Sequence, residues 1–333
     1  MKFHLDFDIK KLPQKLDHSQ KLLLMGSCFT ENIGEKLGRY KFQVLENPHG
    51  ILFNPVSVVE ALTDYIENKT YQNTDLFYLN EGWHSWKHHS RFSGLTEDET
   101  LQKINASITS THFYLKEADC VMITLGSSWI YTLTEKADHV KTGSVAANNH
   151  KAPSDWFHRR LMTVEEVLHV LDTIIHRLFL FNSKLNIIFT ISPVRHLREG
   201  LIENNRSKAV LIQAVHNLVD KFNRLYYFPA YELVIDDLRD YRFYAEDLVH
   251  PNYHATQYVW EKFVDACMDE KTKNLIEEIH SIYLAYKHKP FNVISDQHKK
   301  FLKSYFNKTT SLSDQYPFLN FEKELEYFKT GFN

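Results

Sequence analysis

The 333-residue sequence has few cysteines, no excess of charge of one sign and no long hydrophobic run. Its three cysteines, Cys28, Cys120 and Cys267, are far apart and odd in number, which argues against a disulfide framework and a cysteine metal knot. Lys and Arg total 39 against 42 Asp and Glu, so the charge balance gives no sign of a nucleic-acid partner.

No segment approaches the roughly 20 consecutive apolar residues that span a bilayer. The first 20 residues carry scattered charges and lack the apolar core of a secretory signal. We therefore expect a cytoplasmic protein without a membrane or nucleic-acid partner.

Short apolar runs alternate along the chain with longer segments of helical spacing. The runs predict strands at Lys21–Met25, Phe42–Leu45, Ala118–Leu125, Leu185–Ile191 and Tyr231–Ile235. The spacing predicts helices at Glu31–Tyr40, Val56–Glu67, Glu97–Leu115, Thr163–Phe181, Ser207–Leu225 and His254–Met268. This alternation is typical of a doubly wound parallel α/β sheet, which binds ligands beyond the carboxyl ends of its strands.

Two segments have no regular pattern, and the end of the chain differs from the rest. Residues 70–95 are irregular and aromatic, and residues 132–160 resemble an inserted loop. The chain from about residue 271 is helical and rich in Lys, Phe and Tyr. We expect a catalytic α/β domain over residues 1–270 and a helical accessory tail over 271–333.

Ser27 lies where the first predicted strand turns into the first predicted helix. Gly26 permits a tight turn there, and a helix N-terminus offers free N–H groups and a positive dipole end. A hydroxyl at this point can attack a carbonyl while nearby N–H groups hold the oxyanion. An ordinary turn residue, or an N-cap at Ser27 or Thr30, explains the same pattern.

Asp247 and His250 stand three residues apart, after the last predicted strand and before the last helix of the α/β pattern. The carboxylate can reach Nδ1 of the imidazole and leave Nε2 to accept a proton from Ser27. A surface aspartate followed by a histidine at a helix start is the alternative.

Other polar and aromatic residues offer further candidates. Cys28 is a rival nucleophile at the same helix N-terminus. His84, His88 and His89 are candidate metal ligands, with a pocket wall or lid as the alternative role. Candidate substrate-binding residues are Asn54, Trp129, His150, Arg195 and His196.

Several segments, in order, resemble the GSCFA-domain family. Gly26–Phe29 reads GSCF, with Thr30 in place of the final alanine. The likeness continues through GILFNP (50–55), TLGSSWIY (124–131), AANNHK (146–151), SPVRH (192–196) and DDLRDYRFYAEDLVHPN (236–252). The family is similar to a branch of the SGNH, or GDSL-type, hydrolases, whose fold is a three-layer, flavodoxin-like α/β/α sandwich. The resemblance implies that Ser27 is the nucleophile, Asp247 the orienting acid and His250 the general base.

The same resemblance implies an oxyanion hole, with one departure. The expected donors are the N–H of Ser27, a glycine that corresponds to Gly50, and an asparagine. Ser128 stands where the asparagine is expected, so we expect Ser128 to substitute for it, or Asn54 or Asn148 to move in, or the hydrolase to be slow.

We therefore predict a serine esterase or acyltransferase that acts on a small-molecule or carbohydrate ester, with an O-acetylated carbohydrate as the substrate class. No cofactor and no metal ion are expected for this reaction. The alternatives are a noncatalytic carbohydrate-binding protein on a degenerate hydrolase fold, and a metal-dependent hydrolase built on His84, His88 and His89. The acyl group, the acceptor and the oligomeric state stay open.

Overall fold

The computed structural model describes residues 7–137 and 142–332. Strands and helices alternate along its first half, which contains β1 (Lys21–Gly26), α1 (Cys28–Arg39), β2 (Gln43–Glu46), α2 (Pro55–Glu67), β3 (Phe77–Leu79), β4 (Gly82–His84), α3 (Glu97–Glu117), β5 (Cys120–Leu125), β6 (Trp129–Leu133) and β7 (Phe157–Leu161). The second half contains α4 (Val164–Phe181), β8 (Asn186–Ile191), α5 (Leu201–Lys221), β9 (Leu225–Tyr227), α6 (Ala230–Glu232), α7 (Tyr253–Cys267), α8 (Glu270–Lys287), α9 (Asp296–Gln315) and α10 (Glu322–Lys329).

Five strands form the central sheet in the order β2-β1-β5-β8-β9. The pairs β1–β5, β5–β8 and β8–β9 are parallel, and Leu22 lies opposite Cys120, which in turn lies opposite Asn186. Every residue of β5 is buried, as are all but the first residue of β1 and β8. Continuous apolar runs form such strands because helices cover the sheet. The predicted α/β fold with a parallel sheet flanked by helices is confirmed.

Several helices begin at residues whose side chains satisfy free backbone N–H groups. Thr163 Oγ1 accepts a hydrogen bond from the N–H of Glu166, and the carboxylate of Glu166 accepts one from the N–H of Thr163, which completes a capping box for α4. None of the helices among the described residues combines the length and apolarity that crossing a bilayer requires.

The structure departs from the predicted elements at the last predicted strand and in the two irregular segments. Tyr231–Ile235 is helical, because Pro229 ends the short strand β9 and the apolar run enters α6 and a π-helix at Leu233–Leu238. The irregular segments contain two antiparallel hairpins, β3–β4 and β6–β7. Residues 138–141 of the predicted insertion lie outside the described residues.

The chain divides into two compact units. The first contains Lys21–Gly34 and Val44–Lys262, together with the described residues up to Lys10. The second contains Lys11–Gln20, Glu35–Gln43 and the chain from Phe263 onward. Within the second unit, the N–H of Leu12 donates to the carbonyl of Ala266 at 2.9 Å. A boundary at residue 270 between independently folding domains stays a prediction.

Candidate active site

Ser27 lies at the junction of β1 and α1, as predicted, and only 1% of its surface is exposed. Its N–H donates to the carbonyl of Thr124 at 3.0 Å, and its Oγ accepts from the N–H of Phe29 at 3.4 Å. Gly26 has φ +132°, and a Cβ there would lie 2.1 Å from the carbonyl oxygen of Thr124. Only glycine permits this close approach of β1 to β5, which places the serine at the carboxyl edge of the sheet.

The segment before α2 joins the ends of β1 and β5 beside Ser27. The N–H of Leu52 donates to the carbonyl of Gly26 at 2.8 Å, and the carbonyl of Phe53 accepts from Gly126 at 2.8 Å. A Cβ added to Gly126 would lie 3.1 Å from Cδ1 of Phe53 and 3.3 Å from Cβ of Ser27. Phe53 and Ser27 therefore both pack beside Gly126 at the end of β5.

Asp247 and His250 form the predicted carboxylate–imidazole pair. Oδ2 of Asp247 lies 2.6 Å from Nδ1 of His250, and Oδ1 accepts from the N–H groups of Val249 and His250 at 2.9 and 3.0 Å. The backbone N–H of His250, and then its side chain, lower the pKa of Asp247 to about 2. The carboxylate stays ionised at neutral pH and can accept a hydrogen bond from Nδ1–H of His250. This hydrogen bond leaves Nε2 of His250 to take a proton.

No hydrogen bond joins Ser27 Oγ to His250 in the described part of the chain. The serine is buried, whereas the side chains of Asp247 and His250 are 48% and 50% exposed. The turn that carries His250 is attached to the segment after β8, because Arg195 donates to Leu248 and Val249 carbonyls at 2.9 and 3.2 Å. The structure thus pairs Asp247 with His250 and holds their turn against the segment that follows β8, whereas Ser27 follows β1.

The donors predicted for the oxyanion hole are engaged within the protein. The N–H of Gly50 donates to the carbonyl of Asn47 at 2.7 Å, and the N–H of Ser27 is paired with Thr124. Ser128 is buried, and its hydroxyl donates to the carbonyl of Ser207 at 3.1 Å. Ser128 therefore ties the end of β5 to α5 and does not present a donor in this conformation.

Asn54 caps a helix. Its Oδ1 accepts from the N–H of Ser57 at 2.9 Å, and its Nδ2 donates to Ser57 Oγ at 3.0 Å, which is the N-cap arrangement at the start of α2. This capping role accounts for the side chain that we expected to bind substrate or serve the oxyanion hole. The hydrogen bond from His150 N to Asn148 Oδ1 at 2.8 Å likewise holds Asn148 in a local turn.

His150 lies in an aromatic cluster. Its Nε2 lies 2.9 Å from the carbonyl of Ser85, and its ring contacts Phe77 and Trp86 at centroid distances of 5.5 and 5.9 Å. Burial lowers the pKa of His150 to about 4, so the imidazole is neutral at physiological pH. Its contacts are those of a packed structural residue, in contrast to the expected substrate contact.

Arg195 and His196 follow β8, as predicted. The Arg195 guanidinium lies 4.9 and 4.0 Å from the ring centroids of Tyr241 and Tyr244. His196 pairs through Nδ1 with Glu199 at 2.8 Å. Trp129 is half-buried in β6, and its indole N–H donates to the carbonyl of Glu203 at 3.4 Å.

The contacts of Cys28 and His84 give little support to a cysteine nucleophile or to a histidine metal site. Burial, and then Glu31, raise the pKa of the Cys28 thiol, so Cys28 is not an activated thiolate. Both ring nitrogens of His84 have partners, Ser93 Oγ at 2.6 Å and the carbonyl of Leu79 at 2.8 Å. Among residues 7–137 and 142–332, no three His, Cys, Asp or Glu side chains are grouped so that they can hold a metal ion.

Lys208 is a site residue that sequence reasoning missed. It lies in α5, fully buried, and its Nζ donates to the carbonyls of Gly126 and Ser192 at 2.6 and 2.7 Å. It thus joins the ends of β5 and β8, and burial lowers its pKa to about 7. The available signal was its position on the apolar face of the helix, in helical register with Leu211 and Val215.

The fold and the site define an α/β protein with polar side chains gathered at the carboxyl edge of a parallel sheet. The GSCFA family model matches residues 21–263, and the model of the GSCFA C-terminal domain matches residues 279–333. The chain therefore belongs to the GSCFA family.

Two solved structures have distant similarity to this chain. One is a provisionally assigned platelet activating factor from Streptococcus pneumonia, with 14% identity and a TM-score of 0.39 over 74% of this chain and 83% of that chain. Another is the acetyl xylan esterase Est2A from the rumen bacterium Butyrivibrio proteoclasticus, with 10% identity and a TM-score of 0.36 over 74% of this chain and 63% of that chain. No curated protein matches the sequence.

Proposed function

We propose that this protein is a serine esterase or acyltransferase that acts on a small ester through Ser27, His250 and Asp247. The observation that carries the proposal is the 2.6 Å pair between Asp247 and His250, held beyond the sheet edge where Ser27 opens α1. A carboxylate that fixes the tautomer of an imidazole is the arrangement that a serine nucleophile needs.

In the proposed reaction, Ser27 Oγ attacks the ester carbonyl carbon while His250 Nε2 takes the hydroxyl proton. The tetrahedral intermediate then releases the alcohol, which receives that proton from His250. Water or an acceptor hydroxyl attacks the acyl-enzyme, His250 again takes the proton, and Ser27 Oγ leaves with it. Asp247 stabilises the imidazolium in both steps without itself becoming protonated.

The step requires Ser27 Oγ and His250 Nε2 to come within hydrogen-bond distance in the substrate complex. Catalytic hydrogen bonds often tighten only when substrate is bound. We propose an O-acetylated carbohydrate as the substrate, because the half-buried Trp129 and the exposed Tyr241 offer rings on which a sugar can stack.

The test is turnover of 4-nitrophenyl acetate by Ser27→Ala, with Cys28→Ala as the matched control. We expect the first variant to lose at least about 10³-fold in kcat and the second to stay within a few-fold of the wild type. Circular dichroism and thermal unfolding verify that both variants are folded. Wild-type turnover in Ser27→Ala would end the proposal.

A second candidate is a noncatalytic carbohydrate-binding protein on a hydrolase fold. The observation that favours it is the internal pairing of the Ser27, Gly50 and Ser128 donors. Saturable binding of an acetylated oligosaccharide, equal in the wild type and Ser27→Ala and without hydrolysis by either protein, would favour this candidate over the esterase.

A further inference from the structure

A cavity of about 380 Å³ lies beside the β6–β7 hairpin. It is lined by Tyr131, Ser154, Phe157, His158, Arg159 and Arg198. The hairpin follows the carboxyl end of β5, and Arg198 lies in the turn after β8. The cavity is therefore formed by segments that leave the edge of the sheet where the proposed active site lies.

The lining is cationic and aromatic and includes no carboxylate. The Arg198 guanidinium lies 5.0 Å from the ring centroid of Tyr131, and the Arg159 guanidinium lies 5.7 Å from that of Trp129. Stacking on an aromatic ring orients a guanidinium plane while its N–H groups stay available at the edge. Among the described residues, no carboxylate lies within ion-pair distance of Arg198.

Glu199 contacts two residues of this lining, Arg159 and Tyr131. Its side chain is 1% exposed, lies 2.8 Å from Nδ1 of His196 and accepts a hydrogen bond from the hydroxyl of Tyr131. The same carboxylate lies 3.5 Å from Arg159, whose side chain is 52% exposed. Glu199 thus pairs with Arg159, no carboxylate among the described residues pairs with Arg198, and the cavity retains an excess of positive charge.

We propose that this cavity is a subsite for an oxyanion group of the substrate, namely a carboxylate, phosphate or sulfate. Arg159 and Arg198 bind the anion, and Tyr131 and Phe157 contact the apolar face of the group that carries it. Arginine suits this role because its planar fork matches the oxygen atoms of such anions.

The role of the subsite in substrate choice rests on the proposed esterase function. Glu199 lies beside His196, whose ring centroid lies 6.3 Å from that of Phe53, and Phe53 and Ser27 both border Gly126. We expect a substrate with its ester at Ser27 to extend past His196 toward the two arginines. The proposed substrates are therefore esters of anionic compounds, such as an acetylated uronic acid.

Arg160 provides a matched control within the same strand. It follows Arg159 in β7 but lies opposite Ile130, whereas Arg159 lies opposite Tyr131. Successive strand residues point to opposite faces, and Arg160 pairs with Glu166 at 2.8 Å. Arg160→Gln removes the same charge from the neighbouring position without changing the cavity.

The first experiment follows the arginine Nε–H signals by NMR while sodium sulfate, phosphate or acetate replaces sodium chloride at constant ionic strength. We expect saturable chemical-shift changes at Arg159 and Arg198 and none at Arg160. Preference for sulfate or phosphate would indicate a tetrahedral ligand, and preference for acetate would indicate a carboxylate. Absence of saturation with all three anions, or equal shifts at Arg160, would overturn the subsite. The titration needs no turnover and does not depend on the esterase.

The second experiment compares an O-acetyl glucuronic acid with its neutral methyl ester as substrates. We expect the wild type and Arg160→Gln to show a KM lower by about tenfold for the acid, and Arg159→Gln/Arg198→Gln to lose that preference with kcat unchanged. If the enzyme is active but does not prefer the acid, the subsite proposal is wrong and the esterase proposal stands. If the protein binds anions at the two arginines but turns over neither ester, the esterase proposal is wrong and the subsite proposal stands.

Discussion

Lys208 shows at the scale of one residue how the candidate site is stabilised. Its ammonium is buried without a carboxylate partner among the described residues, and two carbonyls at the ends of β5 and β8 accept its hydrogen bonds. Burial of a charge is unfavourable unless hydrogen bonds offset it. Lys208 therefore fixes the position of Gly126, against which Ser27 packs.

The pKa of Lys208 predicts a pH dependence of stability. It is about 7 in the folded protein, below its ordinary value of 10.5, so between about pH 7 and 10.5 the unfolded chain binds more protons than the folded protein. The contribution of Lys208 to the free energy of unfolding therefore increases as pH rises through that range. The same contribution is lost as pH falls through the range to 7.

We expect the difference in unfolding free energy between the wild type and Lys208→Met to grow in favour of the wild type from pH 7 to pH 10. Urea unfolding at several pH values measures this difference. Lys221→Met is the control, because Lys221 is a half-exposed lysine at the end of the same helix. A difference that is constant with pH would contradict the shifted pKa.

At the scale of single elements, local signals predicted most boundaries. Continuous apolar runs indicated β5 and β8 within two residues of their observed ends, and the capping box of Thr163 and Glu166 marked the start of α4. The run at Tyr231–Ile235 failed, because a short apolar run fits a buried helix as well as a strand. In the site, residues that follow strands were placed correctly at the sheet edge.

Pairings between distant residues were not predictable from such patterns. The hydrogen bonds from Ser128 to Ser207 and from Lys208 to Gly126 join residues about 80 positions apart. Their geometry depends on how α5 packs against β5 and β8, which local spacing does not determine. The same holds for Phe53, whose position beside Gly126 depends on the course of the chain before α2.

Asn54 provides a prediction for the start of α2. We expect Asn54→Ala to lower the unfolding free energy by about 1 kcal/mol, because it leaves the N–H of Ser57 without its cap, and Asn54→Asp to restore most of the loss. Because the role is a cap, kcat/KM should change by less than about threefold in both variants. A large loss of kcat/KM in Asn54→Asp, with stability restored, would instead indicate a role in substrate binding.

At the scale of the whole molecule, the second unit is assembled from separate stretches of the chain. Lys41 pairs with Glu324 at 2.6 Å, and Tyr40 Oη lies 3.3 Å from Nδ1 of His280. Arg39 lies 4.9 Å from the ring centroid of Tyr283. Residues 35–43 therefore have structural partners beyond residue 270, although they precede most of the sheet in sequence.

A chain truncated after residue 270 tests the predicted boundary between domain and tail. Truncation removes the partners of Tyr40 and Lys41 and the buried Ile279 and Phe328. We expect the fragment to unfold at a lower temperature than the full chain and to bind a hydrophobic dye. A fragment with the unfolding temperature of the full chain would show that residues 1–270 fold independently.

The central claim is that Ser27 is a nucleophile activated by His250. A fluorophosphonate probe followed by peptide mapping tests it most directly, in the wild type, Ser27→Ala and His250→Asn. The account predicts a single adduct on Ser27 in the wild type, none at any residue in Ser27→Ala, and labelling slowed by at least about 10²-fold in His250→Asn. An unlabelled wild-type Ser27, or an adduct at another residue, would contradict the account.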